Sequence, residues 1–272
     1  MIAARLVRDG PRLSWQERMS ELNGSSTTRA TATIACVVLL TAVSAWATTV
    51  LAIRGPSWIV VASDSMYVSH EDGRSSTICK IHQGKNFYWA SEGVYGGAGQ
   101  SFDLPSLVGR ADSVKSHALL DEMSTLDDII VPALSDYLTL LRKAKPAKYQ
   151  EILDRKHAAT VIFFRVEQGL ASYVSDAFYI AESPNREIII SSNDRKLCPG
   201  DCPEPISKWE DGEREAVDKY FEQHGMDGTP EDFLKRMVAL EISDKPTTVG
   251  PPISVLRLDE HGASWPSPGV CQ

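Results

Sequence analysis

Two short apolar runs, TTVLAIRG at 48–55 and WIVVASDS at 58–65, are rich in β-branched residues, with the turn signal GPS between them. That pattern predicts a hairpin. TICKIHQG (77–84) and KNFYWASEG (85–93) predict two more strands turning at Gln83-Gly84, so four consecutive strands open this part of the chain. The period then changes. In STLDDIIVPALSDYLTLLRKA (124–144) apolar residues recur at Leu126, Ile129, Ile130, Ala133, Leu134, Tyr137, Leu138 and Leu141. This spacing predicts a helix, with Thr125 as N-cap and Asp128 three residues on. LPSLVGRADSVKSHALLDEM (104–123) reads as an earlier helix. Strands return at ATVIFFRVEQ, GLASYVSDAFYIA and REIIISS. Two helices follow, WEDGEREAVDKYFEQHG (209–225) and TPEDFLKRMVALEIS (229–243), the second with Thr229 as cap and Pro230 in its first turn. ISVLRLDEHGASW closes the chain as a last hairpin.

Hairpins clustered together, with helices grouped between them, imply an α+β protein of antiparallel sheets covered by helices rather than a βαβ repeat. No linker divides residues 48–272, which read as one domain.

The N-terminus departs from this pattern. From Ile34 to Ile53 the chain carries no charge, and upstream Arg5, Arg8, Arg12, Arg18 and Arg29 outnumber Asp9, Glu17 and Glu21. A run of about 20 apolar residues is long enough to span a membrane. A secretory signal has a shorter apolar core ending in small residues. Ile34–Ala42 followed by Ala45-Trp46-Ala47 fits that form, with Met19 giving a tidier start than Met1. Two expectations stand: a signal peptide (19–47 or 1–47) cut after Ala47, making the protein secreted or periplasmic, or a membrane anchor at 34–53. If Val50–Ile53 form a core strand, they cannot face lipid.

Removing residues 1–47 takes away Cys36 and leaves Cys79, Cys198, Cys202 and Cys271, an even number. Cys198 and Cys202 bracket PGD, a turn that could close a disulfide loop, and Cys79 suits a buried or disulfide role. A lone C-x3-C without a second Cys/His pair is weak support for zinc. The net charge of −8, with no basic stripe, argues against nucleic acid as a partner. The histidines fall in unrelated contexts and receive no role.

The cut after Ala47 would give Thr48 chemical meaning. A threonine hydroxyl needs a base to take its proton, and a chain that begins at Thr48 supplies one in its own α-amino group, with a pKa of about 7.7–8.0. A nearby lysine would favour the neutral amine, and a carboxylate would hold that lysine. Asp64 in VVASDS and Lys80 in CKI stand at the ends of following strands. Taken singly, Thr48 is a β-favouring residue, Asp64 a turn cap and Lys80 a surface charge.

Together, TTVLAIRG, VASDS and CKI resemble the proteasome β-subunit family of N-terminal nucleophile (Ntn) hydrolases, in order and in spacing. The resemblance implies a four-layer αββα sandwich of two antiparallel sheets flanked by helices. It implies Thr48 as nucleophile, Lys80 and Asp64 as its support, and the Gly93 N–H as an oxyanion donor, though the register of Gly93 is off by about one residue. SDKPTTVGPPISVLRL places Asp244 and Thr247 at the spacing of the family's supports for the terminal amine, with Thr for Ser and Gly250 later. Asp244 also reads as a cap ahead of Pro246. A G-S-G support expected after REIIISS is missing, and NDRKLCPGDC stands there instead. The expected activity is hydrolysis of a peptide or other amide substrate, with no metal or cofactor. Signal peptidase would expose Thr48, and a homo-oligomer is compatible with the resemblance. The alternative is a catalytically inactive binding or structural domain of the same fold.

Overall fold

Thr49–Arg54 (β1) and Ile59–Ser63 (β2) pair antiparallel, with Val50 opposite Ser63 and Arg54 opposite Ile59. Every residue of both strands is buried. Continuous burial, rather than alternation, is what a sheet covered on both faces requires. The computed structural model describes residues 48–69, 74–96, 100–113, 118–192, 194–202, 207–212 and 215–271; the signal-peptide expectation, its cleavage after Ala47 and Cys36 lie outside them.

The remaining elements follow in chain order. Met66–Val68 (β3) and Ser75–Thr77 (β4) form a small hairpin, then Ile81–Gln83 (β5) pairs with Tyr88–Gly93 (β6). Three helices follow, Leu104–Ala111 (α1), Leu119–Ala144 (α2) and Pro146–Arg155 (α3). The strands His157–Glu167 (β7), Leu170–Glu182 (β8), Ile188–Ser192 (β9), Lys196–Cys198 (β10) and Ser207–Gly212 (β11) come next. Glu215–His224 (α4) and Pro230–Asp244 (α5) precede the closing hairpin, Ser254–Asp259 (β12) and Gly262–Ser267 (β13).

Two larger antiparallel sheets result. One has the order β11-β1-β2-β12-β13, the other β10-β8-β7-β6-β5, with β9 also on β8. Alternating side chains of β1 and β2 feed different apolar clusters, as the period-two strand geometry demands. Val50, Ala52, Ile59 and Val61 pack with Ile81, Ala90, Ile162, Phe164 and Tyr173 of the second sheet. Leu51, Ile53, Val60 and Ala62 pack with Val217 of α4 and Phe233, Leu234, Met237 and Val238 of α5. A third cluster joins Trp89, Val161, Phe163 and Phe178 to apolar residues of α1, α2 and α3. The architecture is mixed α/β, with antiparallel sheets and helices.

Several elements differ from the expectation. The helix expected from 124 begins at Leu119, so Thr125 is not its cap; its Oγ1 donates to Asp121 O at 2.9 Å, inside the helix. Buried Leu119 and Met123 extend the apolar face backwards, with Asp121 in the first turn favoured by the helix dipole. What read as one helix from 104 is therefore α1 and the start of α2. Helix α3, with Pro146 in its first turn, was not expected. The stretch read as a helix from Trp209 is helical only from Glu215. Ser207–Gly212 instead extends the sheet beside β1, Thr49 facing Gly212 and Arg54 facing Ser207, so the tertiary pairing overrides the local pattern. In TICKIHQG only Ile81–Gln83 belongs to the second sheet.

The β1 pairing bears on the membrane reading. Residues 49–53 of the 34–53 run are a buried strand paired on both edges, so that run is not a single spanning helix. Among the described residues no helix is long and apolar enough to cross a membrane. Among the described residues the cysteines form two disulfides, Cys79–Cys271 and Cys198–Cys202.

Candidate active site

Asp64 follows directly on β2, where the ladder ends and the chain turns away. Its carboxylate is fully buried and collects backbone donors from three segments: Thr49 N–H at 2.9 Å on Oδ1, and Met66 N–H at 3.0 Å and Gly250 N–H at 3.1 Å on Oδ2. Burying a carboxylate is costly unless its lone pairs are satisfied, and these bonds satisfy them. The same loop is tied further by Asp64 N–H to Thr49 O, Ser65 N–H to Gly250 O, and Ser65 Oγ to Pro252 O.

Lys80 lies one residue before β5. Its Nζ donates to Asp64 Oδ1 at 2.7 Å and to Thr48 Oγ1 at 3.0 Å, and its side chain is only 2% exposed. Burial pushes the Lys80 ammonium below the ordinary lysine value, while Asp64 and, more weakly, Glu92 pull it back up. Thr48 precedes β1 and is half-buried. One lysine thus touches both the hydroxyl and the carboxylate.

The other predicted residues are placed as follows. Gly93 ends β6 opposite Ala159, with φ at +88°, and a Cβ there would run into Ala158 O. This conformation and this approach both require glycine. The next N–H, that of Val94, is committed to Ala158 O at 2.8 Å. Asp244 is the exposed last residue of α5, 3.5 Å from Lys245 Nζ, and Thr247 is exposed in the turn that follows. Neither bonds to Thr48, Asp64 or Lys80. Buried Thr248 donates from Oγ1 to Lys245 O at 3.1 Å.

Two residues that received no role from the sequence stand close by. Glu92, buried on β6, acts on Lys80 through its charge, and its Oε2 lies 3.3 Å from His157 Nδ1. His157 Nε2 in turn lies 2.8 Å from Thr160 Oγ1. The sequence signal was faint: ASEG offers a carboxylate in a strand, and His157 has no spaced partner. Among the described residues no group of three or more His, Cys, Asp or Glu is arranged to hold a metal ion.

No family model and no curated protein matches this chain. Among solved structures it is similar to the Anbu (Gly-1) mutant from Hyphomicrobium sp. strain MC1, with a TM-score of 0.47 at 13% identity over 80% of this chain and 84% of that one. Anbu from the same strain gives 0.43 at 13% identity, over 80% and 84%. Anbu (ancestral beta-subunit) from Yersinia bercovieri gives 0.47 at 14% identity, over 80% and 86%. At these scores the likeness carries no argument about chemistry.

Proposed function

We propose that this chain is an exported threonine-type Ntn amidohydrolase that cleaves a peptide or similar amide bond. The observation that carries this reading is the contact of Lys80 Nζ with both Thr48 Oγ1 and Asp64 Oδ1. The three apolar clusters support reading the architecture as αββα, with α4 and α5 outside the first sheet and α1–α3 outside the second.

Signal peptidase would cut after Ala47 and free the Thr48 amine. Thr48 Oγ then attacks the carbonyl carbon while its proton passes to that amine, directly or through one water. The Lys80 charge stabilises the developing alkoxide and keeps the amine neutral; Asp64 fixes Lys80. The oxyanion of the tetrahedral intermediate takes a backbone donor, assigned to the Gly93 N–H. Collapse breaks the C–N bond, the leaving amine takes the proton, and an ester to Thr48 remains. Water hydrolyses the ester and restores the hydroxyl.

A second reading is a non-catalytic binding or structural domain of the same fold. It is favoured by the exposed positions of Asp244 and Thr247, neither of which bonds to Thr48, Lys80 or Asp64, and by the missing G-S-G stretch. One experiment separates the two. The secreted protein is sequenced from its N-terminus and treated with a β-lactone acylating probe. A start at Thr48 and a Thr48 ester, lost in Thr48→Ala, support the hydrolase. A start elsewhere, or labelling unchanged by that substitution, overturns it. A Thr48 start with no adduct favours the non-catalytic domain.

A further inference from the structure

Ile78, Cys79 and Lys80 lie between β4 and β5, outside either ladder. Segments without ladder bonds open most readily, so a side chain that must stay in place on one needs other ties. One tie is the Ile78 N–H, which donates to Ser65 O at 2.9 Å. Another is covalent: Cys79, the residue before Lys80, is bonded to Cys271, with Cα atoms 4.8 Å apart.

The tail that carries Cys271 is itself keyed to the strand beside β2. Cys271 N–H donates to Pro268 O at 2.8 Å, and the same carbonyl accepts from Ser254 Oγ at 3.1 Å. Gly269 has φ at +57°, and a Cβ there would run into Ser254 Oγ, so the tail can lie this close only with glycine. Ser254 pairs in register with Ser63, the last residue of β2, and Asp64 follows. A closed path therefore runs from Lys80 through the disulfide, Pro268, Ser254 and Ser63 to Asp64. The 2.7 Å Lys80–Asp64 ion pair completes it.

The two disulfides differ in access. Cys198 and Cys202 are buried, whereas Cys79 and Cys271 are half-buried. Exchange requires an attacking thiolate to reach a sulfur, so the 79–271 bond is the more open to it.

We propose that the Cys79–Cys271 disulfide holds Lys80 against Asp64 and Thr48, and that a dithiol reductant disarms the site by opening it; this rests on the hydrolase reading of the same site. Cys79 and Cys271 are then positioning residues that act through Lys80. The exchange balances. One thiolate of the dithiol displaces a cysteine sulfur to form a mixed disulfide, and its second thiolate displaces the first from that bond. The dithiol leaves as its own disulfide, and the two electrons it loses, with two protons, leave Cys79 and Cys271 as thiols.

The test compares four proteins that begin at Thr48: the oxidised chain, the chain treated with dithiothreitol, Cys79→Ser/Cys271→Ser and Cys198→Ser/Cys202→Ser. Alkylation and peptide mass identify which pair the reductant has opened. Lys80 is read directly, by acetylation with acetic anhydride, and the site is read by the rate of Thr48 acylation by a β-lactone across pH 5–9. Opening the 79–271 pair should raise Lys80 acetylation by about tenfold or more. Acylation should slow by about tenfold or more, since a misplacement of about 1 Å can cost about 10²-fold. Its rising limb should move up towards the free-amine range as the lysine charge withdraws. Oxidised glutathione should reverse all three changes in the reduced chain, and Cys198→Ser/Cys202→Ser should behave as the oxidised chain. Lys80 equally protected in all four, or acylation and its limb unmoved by opening the bond, overturns the positioning role and leaves the hydrolase reading intact. Lys80 released by reduction with no acylation in any form sustains the positioning role while the hydrolase reading fails. Backbone amide exchange keeps the outcome clear of unfolding. If β1 opens together with residues 78–82, the bond holds the whole fold rather than Lys80, and the positioning role is overturned.

Discussion

Lys80 Nζ stands 2.7 Å from Asp64 Oδ1 with both side chains sealed from solvent, 2% and 0% exposed. A buried pair of this kind is costly to split, because the survivor keeps its desolvation penalty and loses its partner. Asp64→Ala should destabilise the protein by about 3–5 kcal/mol, since Lys80 and three backbone N–H groups lose their acceptor together. Lys80→Met should cost less, because the carboxylate keeps those three donors. Urea denaturation of both variants tests the order; equal losses would mean that the backbone donors contribute nothing to holding Asp64.

Activity should rise with pH as the Thr48 amine loses its proton. The free amine titrates at about 7.7–8.0. A Lys80 ammonium 3.0 Å from Thr48 Oγ1 opposes a second positive charge, so the rising limb of kcat/KM should lie below that range. In Lys80→Met the limb should move up towards the free-amine value and the plateau should fall by about 10²-fold or more, as for loss of an electrostatic contact to the transition state. A pH–rate profile from 5 to 10 reads both effects. A limb that stays in place removes Lys80 from tuning the amine.

The two disulfides should contribute unequally. Cys79–Cys271 closes a sequence separation of 192 residues, and Cys198–Cys202 one of 4. The chain-entropy model gives up to about 5 kcal/mol for the first and about 2 for the second. Paired Cys→Ser variants compared by denaturation should show the larger loss for the 79–271 pair. The reverse order would show that native-state effects outweigh the loop term.

Stability should also fall as pH rises through the weakly acidic range. Burial pushes the Glu122 carboxyl up from 4.5 to about 7, with Asp112 adding to it and Arg165 opposing. Between those values the folded chain holds a proton that the unfolded chain has released, so rising pH favours unfolding until the folded group ionises as well. Glu122→Gln should remove this slope. Its melting temperature should exceed that of the wild type by a few degrees at pH 8, the two being closer at pH 5; each kcal/mol is worth about 2–4 °C in a domain of this size. Parallel curves for the two proteins would place the titration elsewhere.

What the sequence made legible was local or in register. The β1–β2 hairpin, the Thr229 cap of α5 and the last hairpin followed from pattern and turn chemistry, and the spacing of Thr48, Asp64 and Lys80 drew attention to three residues that lie in contact. The rest depended on distant partners. Ser207–Gly212 is a strand because β1 offers it an open edge, which nothing in WEDGERE announces. Glu92 gained a place beside Lys80 only once β6 lay in the second sheet, and Gly250 became an Asp64 donor across 186 residues of sequence. Asp244 and Thr247 follow from the spacing that the resemblance implies, and that spacing does not announce that both are exposed.

The Gly250 N–H has one further consequence, for the order in which the protein comes into being. Synthesis delivers Thr48, Asp64 and Lys80 long before Gly250, a backbone donor to Asp64 that lies 186 residues downstream of it, and before Cys271, which is bonded to Cys79 across 192 residues. The nascent polypeptide therefore carries Thr48, Asp64 and Lys80 well before the distant residues that frame them.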